Sequence, residues 1–419
     1  MTTFAPQAGL ARAARLTLIA AATIFVYTIV IGILNGLDVW EPGHDTLMSH
    51  VHSGTLGWIT LGVGGMAFLM LSEDRSVGAA EQRQVMALAW ALVISVTLYV
   101  VAFLLGDSVF SDRIQRPIFG TLLFVVVIAA LVWMIKAYRS HEASSPARLG
   151  ILLAWISLLI GSAFGIVLGL FTSNGSVPGL DDETAARFAD AHPPAMVIGY
   201  LLVAAFAVIE WLLHDGKAGR AGYVQMWLLF VAGVVVNVGF VTGNDEQLVG
   251  PANAMMIAAG FIMLWRSRAM LSLSGWRGSQ ATRFPLLALL FLVAYLVLLT
   301  VLVSWIIQDA VDFDALTESQ DGLLITFDHA MFVGVITNVL FGVMSTRLDS
   351  PRTALANRVL WCGLPIGLTG FGIGLITTTT IPKRIFAPIM GLSLLFALVV
   401  YVRELIAAKG SAILEPRQQ

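Results

Sequence analysis

Between Ile118 and Ile135 the chain reads IFGTLLFVVVIAALVWMI, with no charged side chain anywhere in the run. A helix rises 1.5 Å per residue, so a segment of this length spans most of a hydrocarbon core about 30 Å thick. In lipid the backbone N–H and C=O groups find no water and have to pair within the segment. An uninterrupted apolar run also lacks the alternation of a barrel strand. The run is therefore expected to be a transmembrane helix.

Working outward, comparable runs place twelve helices, at 14–36, 50–72, 84–106, 116–138, 148–171, 190–214, 221–243, 251–271, 285–308, 323–345, 357–380 and 383–407. Composition agrees: 58% of the 419 residues are hydrophobic and 12% charged, against about 25% charged in a typical soluble domain. A soluble fold is excluded, and the lipid bilayer is the first partner. The opening run is too long for a cleavable signal peptide and lacks a small-residue cleavage site. The loops are short and no long polar linker divides the chain. Residues 14–407 are thus expected to form one all-α membrane domain. It is flanked by a cytoplasmic N-terminus at 1–13 and a disordered cytoplasmic tail at 408–419.

Lys and Arg resist translocation. With the N-terminus inside, nineteen of the 24 basic residues fall in cytoplasmic segments, while the outer loops carry acidic groups such as Asp181, Asp182 and Glu183. Both termini are expected in the cytoplasm, the chain being multi-pass in the plasma membrane. The net charge of −2 points to no partner, and neither a basic stripe for nucleic acid nor a P-loop for a nucleotide is present. The single cysteine, Cys362, lies in an apolar run and reads as a small buried hydrophobe. Glu210, near the inner end of the sixth helix, reads either as a proton-path residue or as a snorkelling one. Asn237, Asn253 and Asn338 read as interhelical glue.

Four of the seven histidines fall at the outer ends of three helices: His50 and His52, His192, and His329. His52 and His192 are 140 residues apart, and His192 and His329 are 137 apart. Four helices separate each pair, the spacing of three four-helix repeats. His52 and His329 are each followed five residues later by a glycine, Gly57 and Gly334. Small residues there let helices, or a flat cofactor, approach closely. Interfacial histidines bonded to water or loop carbonyls are the plain alternative. Neutral imidazole is a good ligand for haem iron, zinc or copper, and facing helices of a bundle assemble such sites. Carboxylates are scarce at this depth, Asp328 excepted, which favours haem over a hard cation.

The segment His50-Val51-His52-Ser53-Gly54-Thr55-Leu56-Gly57-Trp58 resembles the two-histidine haem motif of heme-copper oxidase subunit I, especially the high-affinity oxidases with b-type haems. In that family the motif lies on the tenth helix and serves a low-spin and a high-spin haem; here it lies on the second. His192-Pro193 is similar to the family's copper-ligand start, with Met196 where many members carry a cross-linked tyrosine. The family's next element, a His-His pair, is missing from Val236-Asn237-Val238-Gly239-Phe240, which argues against a three-histidine copper site. Phe327-Asp328-His329-Ala330-Met331-Phe332-Val333-Gly334 also resembles a late helix of the NnrS nitric-oxide-response membrane family. What the resemblance implies is a haem scaffold with an electron-transport or respiratory role, or one handling nitric oxide or oxygen. A cytochrome or other electron-transfer subunit would dock at its outer face.

Two imidazoles on opposite sides of one iron make a low-spin haem, so His50 or His52 opposite His329 or His192 is the minimum site. Residues i and i+2 of a helix point about 200° apart, so His50 and His52 cannot share an iron. The second of them serves another haem or metal, or bonds a propionate or a loop carboxylate. Two other readings stay open. One is a secondary transporter with embedded histidines, though these repeats share one orientation where common transporters invert it. The other is an active terminal oxidase or nitric oxide reductase.

Overall fold

The computed structural model describes residues 8–105, 114–214, 219–271, 280–312, 315–348 and 350–408. Twelve helices in it are long and apolar enough to cross a membrane. They are α1 Leu10–Gly36, α2 His44–Met70, α3 Ala79–Leu105, α4 Gln115–Arg139, α5 Pro146–Asn174, α6 Asp182–His214, α7 Arg220–Thr242, α8 Asp245–Arg266, α9 Arg283–Ile307, α10 Glu318–Arg347, α11 Pro351–Ile376 and α12 Thr380–Ala407. No strand occurs among the described residues. On α4, Ile118, Val125 and Val132 share one face at seven-residue spacing and are 54%, 56% and 44% exposed. A bare apolar face repeated over many helices suits lipid and not water, and the chain is a multi-pass membrane protein.

Most helices begin several residues before their apolar runs, and at α5, α10 and α11 a polar cap closes the added turn. Thr317 and Gln320 close a capping box before α10, and Ser350 and Thr353 close another before α11. Ser145 caps α5, with Pro146 in its first turn. These caps satisfy N–H groups that the first turn leaves unpaired. Beyond the far ends of α1, α9 and α11, Asp38, Asp309 and Thr378 take left-handed backbone at φ 55°, 47° and 52°. Beside them the Val39, Ala310 and Thr379 amides donate to Leu34, Trp305 and Gly374 carbonyls at 3.1, 3.0 and 2.8 Å, stopping each helix. The expected tail from residue 409, the first seven residues, and Arg113, Lys217 and Arg277 lie outside the described residues.

The chain falls into two compact units. The first holds α1, α2, the start of α3, α9 as far as Tyr295, and α10 to α12. Its most enclosed helix is α2, with 89% of its most apolar stretch buried, against 33–67% for the other eleven helices of the chain. Trp58 on α2 stacks on Phe25 of α1 at 4.7 Å and 5° between planes, and its indole N–H donates to the Thr337 hydroxyl of α10 at 2.9 Å. Phe341 continues the aromatic column to Tyr401 of α12, whose hydroxyl donates to Asn357 at 2.6 Å.

The second unit holds α3 from Ile94, α4 to α8, and α9 from Leu296. Gly199 and Gly233 bring the α6 and α7 backbones together, a Cβ at Gly233 falling 2.8 Å from the Gly199 Cα. Glu210 is 2% exposed and neither snorkels nor stands alone. The Arg266 guanidinium of α8 grips both its oxygens at 2.5 and 2.6 Å, and Gln225 of α7 donates to it at 3.1 Å. Of the three asparagines, Asn253 bonds across helices, to Thr300 at 3.3 Å, while Asn338 bonds the Gly334 carbonyl of its own helix. Cys362 is exposed, not buried; an apolar run in a membrane protein faces lipid as readily as core.

Candidate functional site

Each of the three histidine-bearing helices changes its winding just past the histidine. In α2, π-helical Ser53–Thr60 follows His52; in α10, Ala330–Thr337 follows His329; in α6, Ala195–Leu201 follows the turn His192–Pro194. A π-turn bonds i to i+5 and leaves the ladder locally short of partners. Threonine supplies some: the Thr60 hydroxyl donates to the Thr55 carbonyl at 3.0 Å, and that of Thr337 to Phe332 at 2.8 Å, both five residues back. Sequence reading missed these stretches. The signal was the shared Gly-x-x-Thr at Gly57–Thr60 and Gly334–Thr337.

The glycines at 57 and 334 mark a close approach of the preceding helix. A Cβ on Gly57 would collide with Ile24 of α1, and one on Gly334 would lie 2.6 Å from the Phe291 ring of α9. In the second unit, a Cβ on Gly199 would meet Ser157 of α5 at 3.6 Å.

In the first unit, α2 and α10 run parallel and in register, with Trp58 on Thr337 and Gly62 against Leu340. The same register brings His50 and His329 within electrostatic reach of each other. The His50 ring packs on Gly32 of α1, whose Cβ would sit 3.5 Å from Cε1. Its Nδ1 is buried with no hydrogen-bond partner, although the Thr28 backbone lies beside the ring. His329 Nδ1 donates to the Ile325 carbonyl at 2.8 Å, with Phe371 of α11 tilted against the ring at 5.3 Å. His52 belongs to the same unit, its Nδ1 bonded to the Met48 carbonyl at 2.7 Å.

His192 belongs to the second unit. Its Nδ1 donates to the Gly161 carbonyl of α5 at 2.8 Å, and the ring lies so close over Gly165 that a Cβ there would fall 2.8 Å from Cε1.

A carbonyl oxygen only accepts, so Nδ1 carries the proton in His52, His192 and His329. In the neutral ring the lone pair is then on Nε2, the form in which imidazole binds a metal. The partners of these three Nδ1 atoms are backbone carbonyls. Among the described residues, no three His, Cys, Asp or Glu side chains stand together as a cation site. No protein-family model matches the chain, and no curated protein matches it in sequence.

Proposed function

We propose that this chain is a haem-carrying membrane protein on a scaffold like that of heme-copper oxidase subunit I, in which His50 and His329 would hold a b-type haem. The observation that carries the reading is the register of the parallel helices α2 and α10, fixed at Trp58–Thr337 and Gly62–Leu340, which sets these two imidazoles level with each other. One offers a buried ring packed on Gly32 with the Thr28 backbone beside it, and the other is fixed by its carbonyl bond with Nε2 left to coordinate. Gly32 beside His50 keeps the flank of that ring free of side-chain bulk. Haem so held supplies one-electron redox chemistry, which fits electron transfer or the handling of nitric oxide or oxygen. The Ile325 carbonyl orients His329 and raises its basicity as a ligand.

Three local correspondences support four-helix repeats. Ile24 and Gly32 of α1 meet Gly57 and His50, and Ser157 and Gly165 of α5, at the same eight-residue spacing, meet Gly199 and His192. In α9 and α10, Phe291 meets Gly334, and Tyr295 stacks on Phe327 at 4.6 Å. Phe327 precedes Gly334 by the seven residues that separate His50 from Gly57 and His192 from Gly199. In this register His50 corresponds to His192, and His52 to His329. The orientation we propose has both termini in the cytoplasm and the histidines at the outer face of the plasma membrane.

Reduced-minus-oxidised spectra of the full chain, expressed with ample haem precursor and purified in detergent, test the reading. A Soret band is expected, lost in His50→Ala and in His329→Ala and kept in His52→Ala. Absence of the band in the wild type would overturn it.

A further inference from the structure

A second site lies in the first unit, away from the histidines, where α9 and α11 begin. Arg283, Phe284, Asn357, Arg358, Trp361 and Cys362 line a half-open slot of about 340 Å³. The Arg283 guanidinium stands over the Trp361 ring at 5.5 Å, and its Nε is buried with no hydrogen-bond partner. Arg358 is exposed on α11, and neither arginine has a carboxylate partner among the described residues. Asn357 spends its Oδ1 on the Tyr401 hydroxyl, which leaves its amide N–H groups as donors. Two cations and an amide thus meet in one slot, with no carboxylate among the described residues that line it.

The surroundings say what kind of anion fits. Arg358 lies about 10 Å along α11 from Pro351, at 1.5 Å per residue, the depth of a headgroup. Below it on the same helix face come Cys362, then Ile366 and Ile373, each isoleucine 55% exposed. On α9, Leu290, two turns beyond Arg283, is 43% exposed. A charged slot at the membrane surface therefore continues into a bare apolar track. Basic pockets between transmembrane helices are suited to anionic headgroups.

We infer that this slot binds one anionic phospholipid, its phosphodiester between Arg283 and Arg358 and an acyl chain along Ile366 and Ile373. A free phosphate would satisfy the arginines but leave the track uncovered. A choline headgroup would bring a third cation.

Native mass spectrometry of the full chain in detergent, with phosphatidylglycerol, phosphatidylcholine or inorganic phosphate added, tests this. Phosphatidylglycerol should be retained in preference to phosphatidylcholine. Its retention should fall roughly five-fold in Arg358→Gln and roughly thirty-fold in Arg283→Gln/Arg358→Gln. The wild-type chain gives a second measurement that needs no arginine variant: maleimide should alkylate Cys362 several-fold more slowly in nanodiscs containing phosphatidylglycerol than in phosphatidylcholine alone. Equal retention of the two lipids, equal alkylation rates, or equal protection by inorganic phosphate would each overturn the inference.

Discussion

At the scale of single residues, the sharpest constraints come from glycines that no side chain can replace. Gly334→Ala forces a methyl into the Phe291 ring and should cost about 1–3 kcal/mol, the usual penalty of overpacking. Gly169→Ala meets Pro117 at an ordinary 3.7 Å and should be neutral or stabilise by up to about 1 kcal/mol, because alanine favours helix. Thermal unfolding in detergent separates the two. Asp38 carries a different prediction. Lys383 and Arg384 of α12 pair with it, Arg384 at 3.0 Å, and the Lys383 hydrogen bond holds its carboxyl below the usual 3.8. A depressed folded-state pKa contributes stability above pH 3.8 that is lost as pH falls through the lower folded value. The pair is partly exposed, so Asp38→Asn should cost about 0.2–1 kcal/mol at pH 7. It should also flatten the wild type's acid loss in melts between pH 7 and 3.

Among elements, Glu210 and Arg266 join α6 to α8 by a buried bidentate pair. Glu210→Gln alone should cost about 3–5 kcal/mol, because Arg266 is left with a buried unpaired charge. Glu210→Leu with Arg266→Met should recover most of that loss in the same melts. This pairing was not legible in the sequence, where 56 residues separate the partners and no periodicity links them. The twelve helices were legible, since lipid demands long uncharged runs that stand out in any window. Their starts were misplaced because capped polar turns, as at Ser350-Pro351, carry no hydropathy signal. The same limit hid the outward face of Cys362: lipid is as apolar as a protein core, so composition does not separate the two. Of the candidate site, the histidines and their even spacing could be read directly. The register that sets His50 level with His329 could not, because it depends on how α2 and α10 wind.

For the whole molecule, the positive-inside orientation makes a prediction of its own. In a Cys362→Ser background, an impermeant maleimide added to intact cells should label Asp45→Cys, ahead of the α2 histidines, and spare Ser144→Cys, between α4 and α5. The opposite pattern would reverse the topology. The winding change past each histidine also has a consequence for the whole bundle. A π-stretch holds one residue more than an α-helix needs, so it shifts the angular phase of everything on its outer side by about 100°. The half of α10 after Thr337 keeps step with the core, while the half before Ala330 is turned, His329 with it. Deleting one residue from Ala330–Thr337 should return the helix to a single phase. The chain would then keep its fold and helical circular dichroism but swing His329 away from His50, and the Soret band expected under the proposed function should vanish without unfolding. In these helices the aim of the histidines is a reading frame, set by residue count as much as by residue type.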